Sequence, residues 1–361
     1  MSKSRKRRQK CIEDYQKNSG GQKNRVCIAV NICTYRREEQ LNRILDKLQG
    51  SAFFDQTKKT DYSGALYIYV VDNACELSEI RSEYMNLRHN PRGNTGGAGG
   101  YQYGIELIRS AQAEFTHVVF MDDDVEFDLS CFYRLFDFLQ QVKGADASRP
   151  VAGRMFRMDR RDIQYTAGEI WNAGRISHVG FNRTAAEVDQ EPEIICDSGA
   201  EYGGWWFCCF PYDFVMENDI MPFFIHCDDV EYGLRYGRPP VIIRDVKVWH
   251  ETFEYRQTPV MRYYDTRNPL FVNEKYQLNK DAPQILSEWK QEISAYHADG
   301  KWDYEYYVIR GMLDYLKGMK WLYRVHPGKY HDRLKKARTG RYKNAILWRI
   351  AERRFRGRYE V

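Results

Sequence analysis

The chain has 361 residues, 43% hydrophobic and 29% charged, with 11 prolines and 26 glycines; this excludes a disordered, collagen-like or low-complexity protein and leaves room for one large domain or two. The net charge of +5 is unevenly spread, since residues 1–10 carry six Lys/Arg and no acid, residues 331–361 carry eleven against three acids, and residues 11–330 are left at −9. Basic ends on an acidic body argue against a nucleic-acid-binding fold.

Beyond a basic tail, VCIAVNIC (Val26 to Cys33) is a short apolar run rich in β-branched residues, which predicts a buried strand. TYRREEQ breaks it, and Leu41, Ile44, Leu45 and Leu48 then recur on one helical face. LYIYVVDN (Leu66 to Asn73) predicts a second strand and HVVFMDDD (His117 to Asp124) a third, followed by a helical repeat of Leu129, Phe132, Leu135, Phe136 and Leu139. This alternation predicts a parallel sheet with helices on both faces and a ligand crevice beyond the carboxyl ends of the strands. Those ends carry Thr34, then Asp72 and Asn73, then Asp122, Asp123 and Asp124.

Between the second and third strands lies NPRGNTGGAGGYQYG, whose glycines would let the backbone turn tightly and approach a ligand. No GK[ST] follows, so it is not a Walker loop, and its poor fit to G-x-G-x-x-G speaks against hydride chemistry. From about residue 150 the alternation weakens, and GEIWNAG, EYGGWWFCCFP and PFFIHCDDVEYGLR stand out before a further apolar run, VIIRDVKVWH, ends at His250. Beyond about residue 275 the pattern is helical, with Val308, Met312, Tyr315, Leu316, Met319 and Leu322 on one stripe. In the last 30 residues Ile346, Leu347 and Ile350 oppose Arg349, Arg353, Arg354 and Arg356, which suits either a helix lying on an anionic membrane surface or a solvated face. No apolar run is long enough to span a bilayer and no secretory signal is visible, so the chain reads as cytoplasmic, with peripheral contact at the inner face of the cell membrane as the alternative. Its nine cysteines form no CxxC pair and read as reduced, mostly buried thiols.

Three adjacent acids at a strand end repel one another unless a cation relieves them. Alternate residues of a strand face the same way, so Asp122 and Asp124 are expected to share a divalent ion, Mn²⁺ or Mg²⁺, while Asp123 points elsewhere; His250 is the candidate third ligand. His226-Cys227-Asp228-Asp229-Val230-Glu231 supplies a second acidic cluster able to provide a general base, and Gly203-Gly204-Trp205-Trp206 upstream would suit the apolar faces of sugar rings.

In this order, NICTYRR, VVDN, GNTGGAGG, MDDDVEF, GGWWF, DDVEYGLR and WH resemble glycosyltransferase family 2, and within it the bacterial galactofuranosyltransferases; the resemblance covers roughly residues 26–275. It implies an α/β GT-A nucleotide-diphospho-sugar transferase fold, a mixed sheet flanked by helices, over residues 25–275, between a basic tail (1–24) and a helical, basic C-terminal region (276–361). It assigns Asp122, Asp124 and His250 to the metal and Asp229 to the general base. Thr34, Arg36, Asp72, Asn73, Asn94, Gly96, Gly97 and Asp123 fall to the nucleotide-sugar donor, and Trp205, Trp206, Asp228 and Glu169 to the acceptor. The implied reaction is an inverting transfer of galactofuranose from UDP-galactofuranose to a hydroxyl of a cell-surface or lipid-linked glycan. Donors such as dTDP-rhamnose, and a non-catalytic carbohydrate-binding role, are the alternatives. The first strand begins about 25 residues in, without the β-rich domain that precedes the core of the polymerising galactan enzyme, so addition of one or a few sugars is expected rather than repeated extension. The residues leave open whether the chain forms a homo-oligomer.

Overall fold

The computed structural model describes residues 26–253, 258–278 and 282–359; the basic tail expected over 1–24 lies outside them. Strand β1 (Ile28–Thr34) is buried on both faces, as its unbroken apolar run predicts, and pairs in parallel with β2 (Leu66–Asp72) on one side and β5 (His117–Asp122) on the other. The registers Thr34↔Asp72 and Cys33↔Asp122 bring all three polar strand ends to one edge of the sheet. Helix α1 (Glu38–Gln49) buries Leu41, Ile44, Leu45 and Leu48, and α3 (Ser130–Gln141) buries Phe132, Leu135, Phe136 and Leu139, the stripes read from the sequence.

The glycine-rich stretch differs from expectation. Apart from the turn before it, it is helical: α2 runs Gly96–Arg109, and its glycines press against β1. A Cβ on Gly100 would sit 2.1 Å from the Cys33 sulfur, and one on Gly104 would sit 1.9 Å from Asn31 Oδ1. Only bare backbone lets this helix lie so close to the strand, so these glycines serve helix–sheet packing. Gly93 and Gly96, with φ of 68° and 74°, are the two that the turn itself requires.

Beyond α3 the alternation ends, and the helices that follow are short, α4 (Ala185–Asp189) and α5 (Tyr212–Glu217). Strand β12 (Cys208–Pro211) runs antiparallel between β5 and β7 (Val151–Arg157), and β13 (Val241–His250) lies parallel to β7. Five short strands complete the eleven-stranded sheet: β3 (Ile80–Arg81), β4 (Met85–His89), β6 (Glu126–Phe127), β8 (Gln164–Thr166) and β11 (Ile194–Ile195). The order is β11-β13-β7-β12-β5-β1-β2-β4-β3, with β6 on β13 and β8 on β7. A hairpin of β9 (Glu169–Asn172) and β10 (Arg175–His178) stands apart from it. One face of the sheet packs Ile28, Val30 and Ile32 against α1 and α3; the other packs Ala29, Tyr69 and Phe120 against α2 and Trp205. This is the mixed α/β architecture expected of a GT-A fold.

The described chain falls into two units. The first unit runs through Trp171 and adds Ile176–Ile220 and Asp229–Thr252; the second takes Asn172–Arg175, Met221–Asp228 and the chain from Phe253. Helix α7 (Pro259–Lys275) thus belongs with the C-terminal helices. It shows no clean stripe because it is buried on several sides, at Tyr263, Tyr264, Asn268 and Phe271 among others. Within the second unit Arg267 donates to the Phe223 carbonyl at 2.6 Å, and Asn268 to those of Ile225 and His226 at 2.8 and 2.9 Å, so α7 fixes the 221–228 segment. Helices α8 (Ala282–Ala298), α9 (Trp302–Tyr315), α10 (Met319–Arg324), α11 (Pro327–Lys335) and α12 (Arg341–Tyr359) complete it. Among the described residues no helix is long and apolar enough to cross a membrane. Cys75, Cys131, Cys208 and Cys209 are thiols, and Cys11 lies outside the described residues.

Candidate functional site

The pairing of β6 with β13 builds the centre of the site. Its register, Val248↔Phe127 and Trp249↔Glu126, places His250 beside the turn that carries Asp123 and Asp124. His250 Nε2 lies 3.1 Å from Asp124 Oδ1 and 3.8 Å from Asp122 Oδ2, and one ligand atom from each of the three residues falls within 4.8 Å of the others. The ring of His250 is 1% exposed, so its position is set by packing. Two carboxylates and an imidazole are a donor set that accepts Mn²⁺ or Mg²⁺, and the electrostatics agree. Burial pushes the Asp122 carboxyl up to about 6, with Asp124 adding to the shift while His250 and the Tyr101 hydroxyl oppose it. Burial likewise raises Asp123, against the pull of Arg37.

Asp123 and Asp124 lie in the turn after β5, where the expected strand alternation does not apply, and both reach one guanidinium. Asp123 Oδ1 accepts from Arg37 Nη1 at 2.7 Å, and the same nitrogen lies 3.1 Å from Asp124 Oδ2. Arg37 and Tyr101 were missed in the sequence. Tyr101, buried in α2, donates its hydroxyl to Asp122 Oδ1 at 2.8 Å. Of two adjacent arginines the sequence favoured Arg36; that residue has φ of 57° and turns outward to Glu76 at 2.9 Å, leaving Arg37 to face the acids.

Arg36, Glu38, Asp72, Ala74, Glu76 and Leu77 line a cavity of about 210 Å³. This is below the roughly 300–1,000 Å³ of a pocket for a whole drug-sized ligand and suits one part of a larger molecule. Asp72 shapes its wall: its carboxylate accepts the backbone N–H groups of Ala74, Glu76 and Leu77 at 2.8, 2.8 and 2.9 Å. Asn73 ties the strand end to the following helix, donating to the Gly96 carbonyl at 2.9 Å and accepting from Asn90 at 2.7 Å. Asn94 accepts from the Gly96 N–H at 3.0 Å, and Gly96 and Gly97 form the first turn of α2. Thr34, 1% exposed, accepts the Asn73 N–H at its carbonyl, joining the ends of β1 and β2.

The two tryptophans are placed differently from the sugar platform expected of them. Trp205 is 4% exposed and stacks on Phe120 at 4.5 Å, with Tyr101 at its edge at 5.1 Å. Trp206 is 2% exposed and donates its indole N–H to the Gly153 carbonyl at 3.0 Å. Both belong to the cores on either side of the sheet, and their faces are occupied by protein. Glu169, also buried, lies at the start of β9 with its carboxylate 3.0 Å from His178 Nδ1.

Asp228 and Asp229 begin helix α6 (Asp228–Tyr236) after Phe224, His226 and Cys227, all with positive φ. Asp229, in the first unit, accepts the Val230 N–H at 2.7 Å, and its charge helps burial hold the Cys208 thiol well above its ordinary range. Cys208 is the β12 partner of Phe120, two residues before Asp122. Asp228 belongs to the second unit, where its charge joins that of Asp265 in favouring protonated His226. Glu231, on the same helix, is buried and bonded to Arg235 at 3.1 Å.

Residues 29–200, which hold the Asp122–Asp124 cluster and the β1–β2 cavity, match the model of glycosyl transferase family 2. The chain is similar to galactofuranosyltransferase GlfT2 of Mycobacterium tuberculosis, 26% identical over 199 residues that cover 50% of this chain and 30% of that one. It is also similar to GlfT2 of Mycolicibacterium smegmatis, 24% identical over 279 residues that cover 69% and 41% respectively. It thus spans less than half the length of these curated relatives. A looser likeness, with TM-score 0.45 and 10% identity, links 63% of this chain to 44% of GalNAc-T7 solved with UDP, GalNAc and Mn²⁺.

Proposed function

We propose that the protein is an inverting, metal-dependent glycosyltransferase that moves galactofuranose from UDP-galactofuranose to a hydroxyl of a cell-surface or lipid-linked glycan. The observation that carries the reading is the convergence of Asp122, Asp124 and His250 at one end of the sheet, next to a small cavity between the ends of β1 and β2. The choice of sugar is supported by the likeness to GlfT2.

Asp122, Asp124 and His250 would hold the divalent ion, which when bound neutralises the charge that develops on a departing diphosphate. The cavity beside Arg36 and Asp72 takes the uracil end of the donor, and the first turn of α2, with Asn94, Gly96 and Gly97, lies toward the diphosphate. Arg37 and Tyr101 keep the acids in place before the donor arrives. Asp229 accepts the proton of the acceptor hydroxyl as its oxygen forms the new bond to the anomeric carbon and the bond to the diphosphate breaks. No covalent intermediate on the protein is needed, and the sugar inverts. Positioning and fixed charge supply most of the rate.

The test is release of UDP from a panel of UDP, dTDP and GDP sugars with a galactan acceptor, with and without chelator. UDP-galactofuranose is expected to turn over only with Mn²⁺ or Mg²⁺. Asp124→Asn should lose both turnover and the thermal shift with Mn²⁺, whereas Asp229→Asn should lose about 10²–10⁴-fold in turnover and keep the shift. Chelator-resistant turnover, or full activity in Asp229→Asn, would refute the mechanism. Preference for dTDP-rhamnose would retire the sugar and leave the class standing.

A further inference from the structure

Helix α12 carries an exposed face that the transfer reading does not use. One side of the helix is docked. Asn344, fully buried, donates to the Trp302 carbonyl at 2.8 Å and to Glu305 at 3.0 Å, Ala351 and Phe355 are fully buried, and Phe355 meets Trp289 edge-on at 5.2 Å. Leu347, expected to share a face with Ile346 and Ile350, instead packs on the cluster around Tyr306 and Tyr330. What remains outside is a row of large apolar side chains at i, i+4 and i+8: Tyr342, Ile346 and Ile350, exposed to 84%, 60% and 39%. The expected arginines do not oppose the isoleucines: helical periodicity places Arg353 on the same row, with Lys343 and Arg354 along one side and Arg349 and Arg356 along the other, all exposed. The one described acid of the helix, Glu352, is bonded to Arg356 at 3.2 Å.

We propose that this face docks on an anionic lipid surface, with Tyr342, Ile346 and Ile350 entering the acyl boundary and the flanking Arg and Lys groups lying at the level of the lipid phosphates. An apolar row with cations on both sides is the arrangement such a surface selects: the long basic side chains reach past the apolar row to the headgroups, and the apolar residues leave water. A nucleic acid would use the charge and leave the isoleucines in water, so lipid is the partner that accounts for both. The inference stands apart from the transfer reading, because no residue of α12 belongs to the candidate site.

The test is cosedimentation of the full chain with vesicles of phosphatidylcholine alone and of phosphatidylcholine with phosphatidylglycerol at 7:3. Binding is expected only to the anionic vesicles and is expected to weaken with salt. At about fivefold per basic side chain, Arg349→Glu/Arg353→Glu should lower partitioning at least ~25-fold. Ile346→Ser/Ile350→Ser should lower it about tenfold or more. Both pairs are solvent-facing, and a wild-type melting curve checks that each variant is folded. Absence of sedimentation, equal binding to neutral vesicles, or indifference to both variants overturns the proposal. So does a concentration-dependent dimer that Ile346→Ser/Ile350→Ser dissolves, or duplex DNA bound by the same arginines while vesicles are ignored.

Discussion

Replacing Arg37 by methionine tests the electrostatic logic of the acid cluster without touching a proposed metal ligand. Arg37 is 40% exposed, so water already screens part of its charge, while Asp123, its partner at 2.7 Å, is 3% exposed and has no such relief. Losing a charge-assisted hydrogen bond to a buried carboxylate costs about 1.5–3 kcal/mol, and the discount for screening brings the expected loss to about 2 kcal/mol. At roughly 2–4 °C per kcal/mol for a unit of this size, the metal-free variant should melt about 4–8 °C below wild type. Mn²⁺ should then act in the opposite sense. Without the guanidinium 3.1 Å from Asp124 Oδ2, the pocket is more negative and binds a cation more tightly. A ligand at a hundred times its Kd adds about 2.7 kcal/mol, and each tenfold gain in affinity adds about 1.4 kcal/mol more, so saturating Mn²⁺ should bring Arg37→Met close to wild type. Thermal melts over an Mn²⁺ titration measure both quantities. A metal-free variant that melts with wild type, or an Mn²⁺ shift smaller than that of wild type, would show that Arg37 is not the counter-charge of these acids.

The other predictions concern the supports around the site and the second unit. Tyr101→Phe removes a hydroxyl that lowers the Asp122 carboxyl, now at about 6, so protons should compete harder with Mn²⁺; affinity should fall near pH 6.5 and return by pH 8, and a Kd that follows wild type across this range would count against it. Gly104→Ala sets a methyl 1.9 Å from Asn31 Oδ1 and should cost about 1–3 kcal/mol by urea unfolding, whereas Gly357→Ala, which meets nothing, should be neutral or stabilising. In the second unit, burial disfavours charge on both His226 and Asp265, but their 2.6 Å hydrogen bond outweighs it, raising the histidine and lowering the aspartate. The contribution of the pair is therefore present between the ordinary carboxylate and imidazole values and is lost as pH rises through the raised histidine value; Asp265→Asn should flatten the melting temperature between pH 6 and 9, and an unchanged slope would refute the pairing.

Much of this was legible because it is local. Strands β1, β2 and β5 announce themselves as apolar runs, α1 and α3 as repeats of large apolar residues, and the acid cluster by its place directly after β5. His250 was legible for the same reason, as the polar end of an apolar strand. What was not legible depends on partners far away in the chain. Glycines that line a ligand loop and glycines that let a helix lie on a strand have the same composition, and only Asn31 and Cys33 behind them decide between the two. Arg36 and Arg37 are neighbours in sequence, and a single left-handed residue sends them to opposite tasks. The end of β13 reaches the acids through its pairing with the two-residue strand β6, too short to be read in advance.

The burial of Trp205 changes how the acid site itself is understood. A ring face cannot both stack on Phe120 and receive a sugar, so the aromatic contribution must be made from within the fold. Trp205 stacks on Phe120, both rings meet Tyr101, and the Tyr101 hydroxyl ends on Asp122. Phe120 and Asp122 lie two residues apart on β5, so the aromatic cluster grips the strand and, through Tyr101, the carboxylate at its tip. Three adjacent acids on a pliable loop would swing apart, and a cation would then have to gather them at the cost of their freedom. Held from below by packed rings and from the side by Arg37, they are already close, and that order is in place before any ligand binds.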